Sequence, residues 1–152
     1  MLTKKELLPM EHTLHYTLLA AHTLFQKSFL LRLTKEHPGL LPGQPKVIDY
    51  LMSHPASFQR EIAEGCLIEP ATLSPILEKM ERNGLIRREK ADGNRKNTIV
   101  SLTEKGERIG GRIRELFREL EECVLTDVPP QERDSFIQIL SQIQQKIRRM
   151  VV

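Results

Sequence analysis

Two adjoining stretches hold the residues equipped to act on a large anion. From Arg82 to Lys96 the chain places six cations, Arg82, Arg87, Arg88, Lys90, Arg95 and Lys96, against only Glu89 and Asp92. That segment carries +4 in a protein of net charge +3, so the rest of the chain sums to −1. A basic stripe on an otherwise balanced chain is the electrostatic footprint of nucleic-acid binding, since each neutralised phosphate releases counterions. A merely solvated hairpin would carry the same charges; the residues before it separate the two readings. In EPATLSPILEKMER, Glu69 to Arg82, the apolar Leu73, Ile76, Leu77 and Met80 recur at helical spacing and stripe one face. Thr72, Ser74, Pro75, Lys79 and Arg82 fall off that face. Hydroxyls thus lie near the positive end of the helix dipole, with long cations further on. Such a face can approach phosphates and present polar groups to base edges. Glu78 also points outward there, where it either accepts from a cytosine amino group or repels phosphate.

Other reactive side chains are sparse. His12 and His15 sit one helical turn apart, with His22 two turns further on. Structural zinc takes four ligands and catalytic zinc three, and no compact cluster of that size appears, so no metal or cofactor is expected. Cys66 and Cys123 are too few for a disulfide framework. Cys66 precedes the 69–82 helix, where thiol oxidation would disturb it; against this, a buried free cysteine behaves as a small apolar residue. No Gly-rich phosphate loop, His-Glu-x-x-His or nucleophile elbow occurs, which argues against an enzyme. No apolar run is long enough to span a bilayer and the N-terminus lacks a signal-peptide core. A cytosolic protein without membrane contact is expected.

The 152 residues, 28% charged and 39% apolar, suffice for one domain with a proper core. Residues 5–36 read as one long helix: Leu14, Leu18, Ala21, Phe25 and Phe29 form a stripe that Leu7, Leu24 and Leu31 widen. Pro38-Gly39 ends it. Gln44 to Ser53 is a short helix with Val47, Ile48 and Leu51 inward. Ser57 suits the N-cap of a third helix, Phe58 to Glu64, with Gly65 closing it. After the 69–82 helix, Asn83-Gly84 stops the turn and the period changes. Residues 85–89 and 98–102 read as the strands of a hairpin whose basic tip spans Ala91 to Asn94 and beyond. Thr103 can cap a long helix carrying Ile109, Ile113, Leu116, Leu120 and Val124. Gly106, Gly110 and Gly111 weaken its start, and their small size permits close approach of another backbone. Pro129-Pro130 breaks the chain before a last helix, 131–149, with Phe136, Leu140, Ile143, Ile147 and Met150 on one stripe. The outer helices hold more apolar surface than a core of about 60 residues covers, and a second copy is the simplest cover.

With those elements in place, Arg60 to Gly106 resembles the multiple-antibiotic-resistance regulator (MarR) family of bacterial transcription factors. The resemblance is carried by Glu61-Ile62-Ala63, Thr72 in its helix, Gly84-Leu85-Ile86 at the wing entry, the charged tip Asp92 to Lys96, and Leu102-Thr103-Glu104-Lys105-Gly106 at the exit. It implies a mostly α fold with a small β wing: a winged helix-turn-helix over 40–103, and an all-helical dimerisation region from 1–38 and 104–152. It implies a homodimer that binds double-stranded DNA, with Thr72, Ser74, Pro75 and Lys79 in the major groove. Arg82, Arg87 and Arg88 would neutralise phosphates. Arg95 or Lys96 would enter the minor groove, with Asp92 holding it; the family spaces this pair as Asp-x-Arg, whereas two residues separate Asp92 from Arg95. It implies repression at a pseudo-palindromic operator, relieved by a small aromatic anion in a cleft that His12, His15, Phe25 and Arg32 are candidates to line. A redox- or metal-responsive regulator acting through Cys66 or the histidines, and a dimeric scaffold without DNA binding, are the alternatives.

Overall fold

The computed structural model describes residues 10–91 and 98–151. Of the expected N-terminal helix 5–36, residues 5–9 lie outside the described residues, and the described part is not one continuous α-helix. A single 3-10 turn, Met10–His12, leads into α1, Leu14–Glu36, whose Thr13 side chain accepts from the Tyr16 N–H at 3.2 Å and so caps the first turn. The helices α2 (Gln44–Ser53), α3 (Gln59–Cys66) and α4 (Pro70–Arg82) follow, then the hairpin strands and the long helices α5 (Glu104–Val124) and α6 (Pro130–Met150). The described residues form two compact units, divided between Phe117 and Arg118.

Three differences from the sequence-based expectation lie around α3. Ser57 is not its N-cap. Ser57 and Phe58 form a two-residue strand, β1, and the Ser57 hydroxyl donates to the His54 carbonyl at 2.6 Å. Phe58 takes the cap position, where its N–H is satisfied by the Glu61 carboxylate at 2.8 Å. Gly65 does not close the helix either. The Tyr50 ring lies where a Cβ would be, 2.1 Å from the nearest ring carbon, so glycine is needed there for proximity. The turn itself falls on Leu67, at φ 52° and ψ 46°. Ile68 N–H bonds to Ala63 C=O at 2.9 Å and Leu67 N–H to Glu64 C=O at 3.2 Å, which is the Schellman arrangement built on a left-handed leucine.

The hairpin matches its expected strands within a residue. The strands β2 (Ile86–Lys90) and β3 (Thr98–Leu102) pair antiparallel, Ile86 opposite Leu102 and Lys90 opposite Thr98. Instead of a two-stranded wing, the sheet has three strands in the order β1-β3-β2, because β1 adds to the free edge of β3. A two-residue strand has no periodicity to read, so this edge was invisible in the sequence.

The core of the first unit joins Phe29 and Leu33 of α1, Val47, Ile48 and Leu51 of α2, Ile62 of α3, Leu73, Leu77 and Met80 of α4, Val100 of β3, and Ile113 and Leu116 of α5, all at most 2% exposed. Fully burying side chains of this kind contributes about 1.5–3 kcal/mol each. Phe29 and Phe117 stack at 4.1 Å between centroids, joining α1 to α5. Of the three glycines near the start of α5, only Gly106 meets another backbone; Gly110 meets the Met52 side chain and Gly111 has nothing within 4 Å. A Cβ on Gly106 would lie 2.1 Å from the Leu85 carbonyl oxygen, so the backbones of α5 and the α4–β2 turn meet there. Polar clamps finish the frame. Arg112 donates to both carboxylate oxygens of Glu36, at 2.6 and 2.7 Å, and Arg114 reaches Asp49 at 3.0 Å. The Arg112 hydrogen bond holds the Glu36 carboxyl below the usual carboxylate range. In the second unit, Arg133 donates to the Val128 carbonyl at 2.7 Å and to that of Leu125, fastening the turn before α6.

Candidate nucleic-acid interface

The helix α4 is built to show one face and hide the other. Pro70 stands at its first position, where a missing N–H costs nothing. Its apolar stripe is fully buried at Leu73, Leu77 and Met80. The opposite face exposes Thr72, Pro75, Lys79 and Arg82. Pro75 lies inside the helix, removing the N–H that would bond to Ala71. Lys79 and Arg82 form no ion pair among the described residues. Ser74 is only half-exposed, and its hydroxyl oxygen accepts from the Gln59 side-chain amide at 2.9 Å. The C-terminus of α4 closes with Gly84 at φ +68°: Leu85 N–H bonds to Met80 C=O and Gly84 N–H to Glu81 C=O, both at 2.9 Å.

That closure sets the wing against the helix. The Thr103 hydroxyl donates to the Gly84 carbonyl at 2.6 Å and accepts from the Gly106 N–H at 3.1 Å, so the expected cap of α5 also fastens the turn. Lys105 donates to the Asn83 carbonyl at 2.9 Å. The two arginines of β2 then diverge. Arg88 lies half-buried and reaches Glu81 of α4 with Nε at 2.9 Å and Nη2 at 2.6 Å. Its guanidinium braces β2 to α4. Arg87 points the other way, two-thirds exposed, 3.7 Å from Glu89. Asp92, Arg95 and Lys96, expected at the wing tip, lie outside the described residues.

The other candidates are scattered. Cys66 is 1% exposed with its thiol 3.6 Å from the Lys46 carbonyl, and burial pushes that thiol up to about 11. Cys123 is exposed. His12, His15 and Arg32 are exposed, and Phe25 stacks at 6.3 Å on Phe117. Among the described residues, no three His, Cys, Asp or Glu side chains gather as for a metal. Nor is any described helix long and apolar enough to cross a membrane. Beside α1 a groove of about 520 Å³ is lined by His22, Thr23, Gln26, Lys27, Leu30, Leu31 and Thr34. Gln59 and Glu81, and the contact that Lys105 makes to Asn83, are what the sequence did not reveal. Each acts across a turn or between helices, at separations carrying no periodic signal.

Known proteins share this architecture. Residues 42–98 match the MarR family model, a span running from the start of the α2 region to the beginning of β3. The chain is 27% identical over 125 residues to the HTH-type transcriptional regulator BilQ of Clostridium symbiosum, covering 80% of this chain and 85% of BilQ. Among solved structures, the transcriptional repressor CouR bound to a 23-mer DNA duplex superposes with a TM-score of 0.77 at 26% identity, over 91% of this chain and 99% of CouR. The organohalide-sensing regulator RdhR in its 2,4-dichlorophenol-bound form shares the fold, with a TM-score of 0.77 at 18% identity over 95% of this chain and 85% of RdhR. The family model spans the half-hidden α4 and the wing entry, and the likeness to solved regulators covers the outer helices as well: the chain is similar to the MarR family of transcriptional regulators.

Proposed function

We propose that the protein is a cytoplasmic repressor that binds a pseudo-palindromic operator as a homodimer and lets go when a small aromatic anion binds. The observation that carries this reading is the two-sidedness of α4: Leu73, Leu77 and Met80 of its apolar stripe are sealed in the core and Ile76 is half-buried, while Thr72, Lys79 and Arg82 stand outward with Arg87 on the adjoining strand. In this reading Thr72, Ser74, Pro75 and Lys79 face base edges, and Arg82 and Arg87 neutralise phosphates. The DNA-bound state of CouR supports it. The dimer is supported by apolar side chains that the single chain leaves open, Leu14, Leu19, Leu24 and Leu31 on α1 and Phe136, Ile137, Ile139 and Ile147 on α6. Residues 1–38 and 104–152 form the dimer region and 40–103 the reading unit. Two recognition helices then sit roughly 34 Å apart, one turn of the duplex.

For the effector, the α1 groove offers apolar walls at Leu30 and Leu31 beside the Lys27 ammonium, the chemistry that holds an aromatic ring with one negative charge. The ligand shifts the protein from DNA only by its differential affinity for the two dimer states. Footprinting on the DNA upstream of the protein's own gene tests the reading. Protection of two half-sites one turn apart, lost on adding salicylate or a related aromatic acid, is the expected result. Absence of protection at low salt would refute repression through DNA, and protection that no aromatic acid relieves would refute the effector assignment alone.

A further inference from the structure

We propose that Gln59, at the start of α3, is a specificity-determining positioning residue that sets the hydrogen-bonding polarity of Ser74 on the recognition helix. The inference rests on the DNA-reading role of α4 and adds a residue to it.

Three observations carry it. First, the Gln59 Nε2 amide lies 2.9 Å from the Ser74 Oγ, and this contact links α3 to the outward-leaning flank of α4. Second, both residues are half-exposed, so the pair sits at the margin of the α4 face and is not sealed in the core. Third, Gln59 itself is held. Its predecessor Phe58 is pinned from both sides, by pairing to Ile99 in β3 and by the Glu61 carboxylate on its N–H. A flexible glutamine side chain on a loosely held backbone would dictate little; this one starts from a fixed point.

A serine hydroxyl has one proton and two lone pairs, and alone it donates or accepts as its neighbour demands. With the Gln59 amide donating to one lone pair, the hydroxyl proton turns outward, and Ser74 meets DNA as a donor. It then favours base-edge acceptors such as guanine O6 or N7, adenine N7 or thymine O4 over an amino group. Gln59 therefore acts on sequence preference through Ser74 without itself touching a base.

The test selects duplexes from a pool with a randomised centre, using the full-length wild type, Ser74→Ala, Gln59→Glu and Gln59→Ala, with thermal unfolding to show that each variant is folded. Glutamate replaces the donor with an acceptor and draws the Ser74 proton inward. The expected result is that wild type enriches one motif, that Ser74→Ala flattens one base-pair position in each half-site by roughly fivefold or more, and that both Gln59 variants alter that same position and no other. An unaltered profile for the Gln59 variants, with Ser74→Ala changed, overturns the proposal and leaves the reading helix intact. A uniform loss of affinity over all sequences in Gln59→Ala also overturns it, because that is the behaviour of a phosphate contact. If wild type enriches no sequence, the DNA-reading assignment itself falls and the proposal with it.

Discussion

Arg87 and Arg88 are neighbours of identical chemistry whose surroundings give them different work. Arg88 donates twice to Glu81 and is three-quarters buried at its side chain; Arg87 stands in solvent with Glu89 at 3.7 Å. A basic run read from sequence treats the two alike, since the alternation of a strand says they differ but not which of them a helix-borne carboxylate will meet. Replacing Arg88 by glutamine leaves Glu81 without its partner and lowers stability by about 1 kcal/mol. The same change at Arg87 leaves the denaturation midpoint alone and reduces the slope of log affinity against log salt by about 1. Salt titrations and urea unfolding of the two variants, run side by side, check this; a midpoint shift at Arg87 and none at Arg88 would reverse the assignment. The cysteines are a second case in which surroundings decide. Cys66 stood as both a redox candidate and a core filler in the sequence. Burial to 1% and a thiol pushed up to about 11 leave on the order of 10⁻⁴ of it as thiolate at neutral pH. In a thiol titration of the native protein, Cys123 reacts promptly and Cys66 only at the rate of unfolding. Prompt reaction of two thiols per chain would put oxidant sensing back in contention.

At the scale of elements, the sequence located what periodicity and turn chemistry control. The recognition-type helix, the Gly84 turn, both hairpin strands and the Thr103 cap stand where hydrophobic spacing, a left-handed glycine and a hydroxyl at a helix entry put them. The misses have a common physical origin. Gly65 invited the role of helix terminator because glycine usually fills that role, but here a tertiary contact with Tyr50 claims it. The left-handed residue is then displaced two positions on, to Leu67, where nothing in the side chain favours it. A left-handed backbone costs a residue with a Cβ roughly 1–2 kcal/mol. Leu67 is 67% exposed and returns little of that through packing. Substituting glycine at this position relieves the strain while raising the entropy of the unfolded chain, and a net gain of about 0.5–1 kcal/mol in unfolding free energy, read as a higher urea midpoint, is expected. A lower midpoint would mean that Leu67 makes contacts, within this chain or to a second copy, worth more than the strain.

For the whole molecule, the decisive quantity is the apolar surface that one chain leaves in water. The long helix at the N-terminus looked apolar over most of its circumference, and the structure buries it only at Phe29 and Leu33, leaving Leu24 66% and Leu31 58% exposed. No residue of α6 is buried, although Ile137 and Ile139 sit on it at 57% and 54% exposure. If the single chain were the working unit, Leu24→Asp and Ile139→Asp would be nearly silent, within about 0.5 kcal/mol, as exposed substitutions generally are. If a second copy covers these helices, each substitution places a carboxylate in a closing apolar interface, and the dimer dissociates. Affinity for a two-half-site duplex then drops by roughly 10²–10⁴, because the second head no longer binds at high effective concentration, while affinity for a single half-site changes little. Sedimentation at matched concentration and binding to one-site and two-site duplexes separate these cases. A dimeric wild type with monomeric variants that keep half-site binding is the expected outcome; a wild type that sediments as a monomer would leave two reading heads with nothing to hold them at one turn of DNA.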